Sequence, residues 1–600
     1  MDKLKVLLTT EGTYPFNQGG VSTWCDSLVQ KMDEIEYIVY SVMMDPFITQ
    51  KFSLPIQSDL IKMPLWGTEE PCEHLPAPFS LVYLKKKRTT NKVIRTRFLP
   101  LFHELIVHIL SVEKNPLELG GVLLELHRFF QEYEYKVSFK SELTWSVFKK
   151  LVIEKANEKN FPISQPDVYG LIQSLGWVYR FLNILNTPVP RVHVTHASAA
   201  AFCGIPCVLS KLEHKTPFLL TEHGVYLREQ YLSLGKRKLS SYLNTFLIRF
   251  IHSITTLNYE FADQVSPVCH YNTRWESRFG VPADKVEVIY NGVDKTIFTE
   301  AAPQKRENPT VVTVARIDPI KDIVTLMKAA AIVKEKIPHV KFIVYGSVSV
   351  PEYYEECMAL CDTLQLKETF IFAGHTSNIE QAYHSGDVIA LSSISEAFPY
   401  SVVEAMMTGK PVVTTDVGGI KEALGETGIL IEPGNQAELA RGLISLLINE
   451  NLRAELGEKA RKRALSYFTL GRVLEQHFKS YVKLALHSEI KEREKAKTSN
   501  RLYTREGKDK LPQACSKKSP DQNERQRLLA QKGYALMELG HVEQAIFHFR
   551  SAIEENPASP SVPVYLSEIA GMYDALGRSD QAMNEVERIK ALLVLQHVSV

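Results

Sequence analysis

Arg316 and Lys321 lie five residues apart in Val314-Ala315-Arg316-Ile317-Asp318-Pro319-Ile320-Lys321-Asp322, where an apolar run gives way to a helical pattern. Asp318 followed by Pro319 reads as an N-cap and first helical residue. The two cations are therefore expected to flank a helix start at the carboxyl end of a strand. Cations so placed suit a diphosphate, Arg through its planar fork and Lys as a point charge. The competing reading is a pair of solvated surface cations. Further on, Ser393-Ile394-Ser395-Glu396-Ala397-Phe398-Pro399-Tyr400-Ser401-Val402-Val403-Glu404 sets two carboxylates in an E-x7-E arrangement after the apolar run Val388 to Leu391. Ser401 and Glu404 have the spacing of a capping box, which would account for Glu404 as helix-start chemistry alone. Glu396 has no such duty. An acid in that loop can accept hydroxyls or face a developing positive charge, and the loop amides at 397–400 can donate to a ligand.

Gly19-Gly20-Val21-Ser22 lies between a strand-like run and a helical pattern. Two glycines there let the backbone approach an anion, and the free N–H groups of a helix start can bind it. A plain tight turn with Ser22 as N-cap is the alternative. Thr221-Glu222-His223-Gly224 follows the apolar run Pro217 to Leu220, and a His beside a Gly at a strand's carboxyl end is placed for a ligand in a cleft. A structural histidine is the alternative, so His223 needs the company of the other groups. His193 and His196, with Cys203 and Cys207 nearby, do not read as a metal site, because positions three apart on a strand face opposite sides. His196 is instead expected to end a strand beside the cleft and line it. Cys357 and Cys361, one helical turn apart, read as buried thiols.

The elements that must hold these groups alternate along the chain. Residues 3–10 predict a buried strand, a loop with Pro15, Gly19 and Gly20 follows, and Ser22 opens a helical pattern with Trp24, Leu28, Val29 and Met32 on one side. A strand over 37–42 completes the start of a βαβ unit. Strand-like runs recur at 191–195, 217–221, 265–268, 286–290 and 311–315, while about 85–185 reads as a helical insertion. Beyond 310, strands at 310–315, 341–345, 369–373, 387–391, 411–415 and 428–431 alternate with helices, as in a second doubly wound α/β domain. The polar stretch 300–309 is the expected linker between domains. Gly533, Ala545, Phe549, Ala552 and Pro557 fall at the spacing of a tetratricopeptide-like helical hairpin, with a poorer copy at Tyr573 and Ala582. So few repeats must pack on the body, a partner or another copy. The expected division is a domain over 1–300, a second over 301–486, a charged linker over 487–525 and helical repeats over 526–600.

Composition bounds the function. Six hundred residues are too many for one core. Lys+Arg 70 against Asp+Glu 69 leaves a net charge of +1, so no global field draws in nucleic acid, and no nucleic-acid partner is expected. Eight cysteines are too sparse for a disulfide framework and point to a reducing compartment. Neither a signal-peptide core nor a membrane-spanning apolar run is evident. The expected location is the cytoplasm, with any contact to the inner face of a membrane made through partners.

Taken together, Gly19-Gly20, His223, Asn291-Gly292-Val293-Asp294, the Arg316…Lys321 pair and Glu396…Glu404 resemble retaining glycosyltransferases of family 4. These have the GT-B architecture, an α/β fold of two Rossmann-like doubly wound domains facing a cleft. Here a C-terminal helical repeat segment would be added. Glu11-Gly12-Thr13-Tyr14-Pro15 running into Gly19-Gly20-Val21-Ser22, with Thr221 to Gly224, Pro319 to Ile323 and Ser393 to Glu396, is similar to the PelF-type subfamily of exopolysaccharide synthesis. The resemblance covers roughly 3–485.

It implies a nucleotide-sugar donor, most often UDP-glucose, and a saccharide or glycolipid acceptor. It assigns Arg316 and Lys321 to the donor diphosphate, Glu404 to the ribose, Glu396 with the loop at Ala397 and Phe398 to the donor sugar, and His223 to the sugar from the opposite domain. Gly19 and Gly20 would close on the phosphates, Asn291 lies at the domain junction, and the strand end around His375 would seat the base. Ala397 stands where the family usually has Gly. With no DxD-type acidic motif in a suitable loop, neither a metal nor another cofactor is expected. The tail is expected to meet a membrane-associated polysaccharide synthase or export complex. Two other readings are a non-catalytic scaffold presenting the repeat tail and a nucleotide-sugar epimerase. The first would not need all of His223, Arg316, Lys321, Glu396 and Glu404, and the second would want a different set of carboxylates and histidines.

Overall fold

The computed structural model describes residues 3–65, 78–158, 163–300, 306–500 and most of 522–588. Residues 301–305 and 501–521, parts of the two expected linkers, lie outside the described residues.

Two six-stranded sheets carry the molecule. β1 (Leu4–Glu11), β2 (Ile35–Met43), β3 (Asp59–Pro64), β4 (Val194–Ala197), β5 (Phe218–Glu222) and β6 (Gln264–Pro267) pair in the order β3-β2-β1-β4-β5-β6. β7 (Thr310–Val314), β8 (Lys341–Tyr345), β9 (Phe370–Gly374), β10 (Val388–Leu391), β11 (Val412–Thr415) and β12 (Ile429–Ile431) pair as β12-β11-β10-β7-β8-β9. Every pairing is parallel. Parallel sheets are covered on both faces, so their inner strands read as continuous apolar runs. In β1 the alternation is visible in the packing. Leu7 joins one core with Tyr40 and Leu220, while Val6 and Leu8 join the other with Val39 and Leu219.

The strand order reverses between β1 and β4 and again between β7 and β10. A crevice opens at the carboxyl ends of the strands at such a point. The loops carrying Gly19-Gly20, Arg316…Lys321 and Glu396 leave the ends of β1, β7 and β10. The fold alone therefore brings three of the four sequence groups to switch points.

Helices between Phe79 and Asn186 form the insertion, with Phe98, Phe102, Phe130 and Phe139 buried among them. Two strand expectations differ from the structure. The run 286–290 forms no strand and contributes only a bridge from Val286 to Val265. β3 escaped the reading because Asp59, Lys62 and Pro64 break its apolar pattern, as suits an edge strand.

The long helix Leu470–Asn500 returns from the second domain to the first. It is fastened there by buried polar contacts. Trp24 Nε1 donates to His477 Nε2 at 3.2 Å, and Gln264 Nε2 donates to Ser480 Oγ at 2.8 Å. Three more helices, Gln522–Glu538, Val542–Glu555 and Val562–Ala575, continue the same core. Phe549 and Leu566 share it with Phe478, Val482 and Val39, and Arg527 pairs with Glu34. The tail thus packs on the first domain through the returning helix.

Candidate active site

The β7 loop folds differently from its sequence grammar. Asp318 caps only the three-residue turn Pro319–Lys321, accepting from the Ile320 N–H at 3.0 Å. Asp322, at a left-handed φ of 47°, caps the helix proper, Ile323–Lys336, through the Thr325 N–H at 3.2 Å. The helix start expected at Pro319 therefore falls at Ile323, because the second Asp offers the better-placed cap. Lys321 is left in the turn, where its ammonium pairs with Glu396 Oε1. Ser393 Oγ donates to the same oxygen at 2.7 Å. Ser392 Oγ donates to the carbonyls of Lys321 and Asp322 at 3.0 and 2.8 Å, binding the β7 and β10 loops together. Beneath them runs Gly418, at φ 60°, where a Cβ would lie 1.6 Å from the Glu396 carbonyl oxygen. Arg316 is exposed and makes no hydrogen bond or ion pair among the described residues.

Glu404 lies in the helix Tyr400–Met407, whose N-cap is Pro399 with no side-chain cap. The capping box with Ser401 does not form. Instead the Tyr383 hydroxyl donates to Glu404 Oε2 at 2.6 Å. Burial raises this carboxyl to about 7, partly opposed by the Tyr383 hydrogen bond. A raised carboxyl favours the protonated form in the native state. Its stabilisation is therefore complete below the unfolded value near 4.5 and is lost as pH rises through about 7. Glu404→Gln should match the wild type in stability at pH 4 and exceed it by roughly 2–3 kcal/mol at pH 8. Urea unfolding at the two pH values checks this.

The first domain supplies the facing wall. The helix Gly20–Lys31 starts with Gly19 as N-cap, so Ser22 sits inside the first turn rather than capping it. Ser22 Oγ is buried with no partner among the described residues. A Cβ on Gly20 would lie 3.3 Å from the Tyr400 ring of the opposite lobe. His223 packs edge-on against Trp24 with centroids 4.5 Å apart, and its Nε2 is buried without a partner among the described residues. Burial lowers its imidazole to about 3, so it is neutral at working pH. Glu222, accepting from Tyr259 at 2.6 Å, pins the strand end behind it.

His196 is not a cleft-lining residue. It is fully buried, with Nδ1 on the Tyr481 hydroxyl at 2.8 Å and Nε2 on Thr221 at 2.7 Å. His193 Nδ1 accepts from the Lys5 N–H at 2.8 Å, so the two imidazoles are engaged separately.

Several contacts tie the 395–400 segment to the first domain and the junction. Arg228 reaches Ser395 Oγ with both Nη atoms at 3.4 and 3.5 Å, and Cys269 Sγ donates to the Ala397 carbonyl at 3.4 Å. That carbonyl also accepts from the Gly419 N–H at 2.7 Å. Asn291 Nδ2 donates to the Phe398 carbonyl at 3.3 Å, which makes Asn291 a brace for the loop. The Phe398 ring is buried between Tyr290 and Phe468, so only its backbone is available to a ligand. His375 follows Gly374 at the end of the edge strand β9, exposed and without a hydrogen bond among the described residues.

The structure thus joins Lys321 to Glu396 directly and sets Gly20, Asn291, Ala397 and Phe398 around the same loop. Glu404 sits on the following helix, His223 packs on Trp24 of the helix that follows the glycine loop, and Arg316 and His375 make no hydrogen bond or ion pair with the cluster among the described residues. Sequence reading gave no role to Arg228, Ser393 or Tyr383, or to Glu11. The Glu11 carboxylate takes the Tyr226 hydroxyl at 3.0 Å and the Cys203 N–H at 3.1 Å, and burial raises it to about 6. Glu11 and Ser393 lay inside quoted motifs. Nothing in the spacing pairs Tyr383 with Glu404.

Residues 294–463 match the family described as Glycosyl transferases group 1, and residues 4–284 match a domain of unknown function, DUF3492. An uncharacterized glycosyltransferase of Methanocaldococcus jannaschii is 25% identical over 345 residues, 54% of this chain and 77% of that protein. A trehalose synthase of Pyrococcus horikoshii is 33% identical over 180 residues, 28% of this chain and 43% of its own length. Among solved structures, sucrose-phosphate synthase from Thermosynechococcus elongatus superposes with a TM-score of 0.51 at 16% identity, covering 80% of this chain and 99% of that one. Residues 294–463 therefore carry the match to the glycosyl transferases group 1, and the chain shares the two-sheet fold of the solved synthase.

Proposed function

We propose that the chain is a glycosyltransferase that moves a hexose, with retention, from a UDP-sugar to a saccharide or glycolipid acceptor. UDP-glucose is the favoured donor and exopolysaccharide synthesis the favoured setting, as the PelF-type resemblance implies. The observation that carries the reading is the Lys321–Glu396–Ser393 cluster at the second sheet's switch point, with Gly20 and His223 supplied by the other lobe. Transfer puts negative charge on the departing diphosphate and positive charge on the anomeric carbon. A fixed cation for the first and a carboxylate for the second stabilise the transition state more than the ground state.

In the free enzyme Lys321 and Glu396 neutralise each other. Donor binding exchanges these partners, the diphosphate taking the ammonium and the sugar hydroxyls taking the carboxylate. Arg316, free of protein partners among the described residues, adds its guanidinium to the diphosphate. Glu404 accepts from the ribose hydroxyls, the 374–376 turn seats the base, and neutral His223 offers its unpartnered Nε2 to the sugar. The acceptor hydroxyl attacks on the face the phosphate leaves, and that phosphate takes its proton. With two side-chain cations on the diphosphate, turnover is expected to survive EDTA. Loss of activity restored by Mg²⁺ would count against that role. The repeat-like tail is assigned to partner docking on a membrane-associated polymer synthase or exporter.

The testing experiment is a thermal-shift screen of UDP-, GDP- and ADP-sugars followed by assay of nucleotide release. A UDP-sugar at about a hundred times its dissociation constant adds about 2.7 kcal/mol, a rise of several degrees. The reading predicts that rise for UDP-glucose, with UDP release and sugar transfer or hydrolysis. Interconversion of UDP-sugars without UDP release would instead favour an epimerase.

A further inference from the structure

The helix Phe79–Arg88 in the insertion divides its apolar and basic residues along its axis rather than around it. Leu81, Val82, Tyr83 and Leu84 are consecutive, so they project in all directions, and they are 52, 41, 48 and 47% exposed. Lys85, Lys86, Lys87 and Arg88 follow at once. At about 1.5 Å per residue each block is roughly 6 Å deep. The basic end is the anchored one. Lys85 Nζ donates to the Phe130 carbonyl at 2.8 Å, Thr89 Oγ1 donates to the Lys85 carbonyl at 2.7 Å, and Glu134 N–H donates to Thr89 at 2.8 Å.

The charge around it is one-sided. Between Pro78 and His103 there are seven Lys and Arg and no Asp or Glu. Arg97 is committed to Glu132 and Tyr133. Lys86, Lys87, Arg88, Lys92 and Arg95 are exposed and have no acidic partner among the described residues.

We propose that this helix docks the enzyme directly on an anionic lipid surface. Four adjacent apolar side chains exposed to water need cover. An apolar tip about 6 Å long reaches the headgroup–acyl boundary and leaves the cations behind it at the depth of the lipid phosphates. An acidic polymer in solution would satisfy the cations but leave the apolar tip in water, so the lipid surface accounts for both halves of the helix. No described helix is long and apolar enough to cross a membrane, so the contact is peripheral.

The test is co-sedimentation of the full chain with phosphatidylcholine vesicles with and without phosphatidylglycerol. The protein should bind only the anionic vesicles and be released by salt. The triple change K86E/K87E/R88E should lower partitioning at least about tenfold, and L81S/L84S severalfold. Both variants should keep the wild-type circular dichroism and wild-type UDP release in solution, so a failure of docking is read separately from a failure of the enzymatic assignment. Absence of wild-type binding to anionic vesicles, equal binding to neutral ones, or wild-type binding by either variant would overturn the proposal.

Discussion

Lys321→Ala is expected to lower kcat about 100- to 1,000-fold, the usual cost of removing one preorganised group from a developing charge. The ammonium is held in a turn between two strand ends, bonded to Glu396 and fastened through Ser392. It is therefore already placed at the strand ends, and on the proposed reading the diphosphate replaces Glu396 as its partner. The same substitution has a structural side, because Glu396, 11% exposed in its side chain, keeps only Ser393 once the cation is gone. Leaving that carboxylate unpaired costs about 1–3 kcal/mol. The double variant Lys321→Ala/Glu396→Gln removes the unpaired charge, so it should regain most of the lost stability and none of the turnover. Urea unfolding and initial-rate UDP release, measured on the same three proteins, separate the two effects. Turnover restored along with stability would assign Lys321 a structural role only.

His223→Phe should lower turnover about 100-fold or more while leaving the melting temperature unchanged or slightly higher. A phenyl ring keeps the edge-on packing on Trp24, and it removes a buried nitrogen that has no partner among the described residues. An unsatisfied polar atom is a cost to the fold, so its removal should not destabilise the protein. Because burial holds the imidazole near 3, the wild-type rate should show no inflection from His223 between pH 5 and 9. On the proposed assignment of Glu404 to the ribose, where the carboxylate is the stronger acceptor, an inflection near 7 is expected from this residue. It should persist in His223→Phe and vanish in Glu404→Gln. A near-wild-type rate in His223→Phe would remove the imidazole from the site.

Both predictions rest on groups that were legible before any coordinates, and the reason is physical. Parallel strands buried on two faces must be apolar throughout, so β7, β8, β10 and β11 announce themselves as Val- and Ile-rich runs. The polar residues immediately after such runs fall at strand ends, where a switch point gathers them. That logic carried Lys321, Glu396 and the glycine loop. It failed where a local pattern had two solutions. Asp318-Pro319 and Ser401…Glu404 both obey helix-start grammar, yet the helices begin at Ile323, where Asp322 supplies the cap, and at Tyr400, where Pro399 holds the N-cap position without a side-chain bond. It also failed where partners are remote. Tyr383 meets Glu404 only because two helices of the second domain pack together, and Arg228 meets Ser395 and Tyr481 occupies His196 only because the second domain and the returning helix fold onto the first. Phe398 shows the limit of naming a residue by its loop, since its ring belongs to the core and only its backbone faces outward contacts.

Titration calorimetry of UDP and of uridine, against the wild type, Lys321→Ala and Arg316→Ala, tests the diphosphate assignment most directly. Charge-assisted contacts to phosphate should be lost selectively. The expected result is a drop of about tenfold or more in UDP affinity for each variant, with uridine binding unchanged. UDP bound equally well by all three proteins would contradict the account.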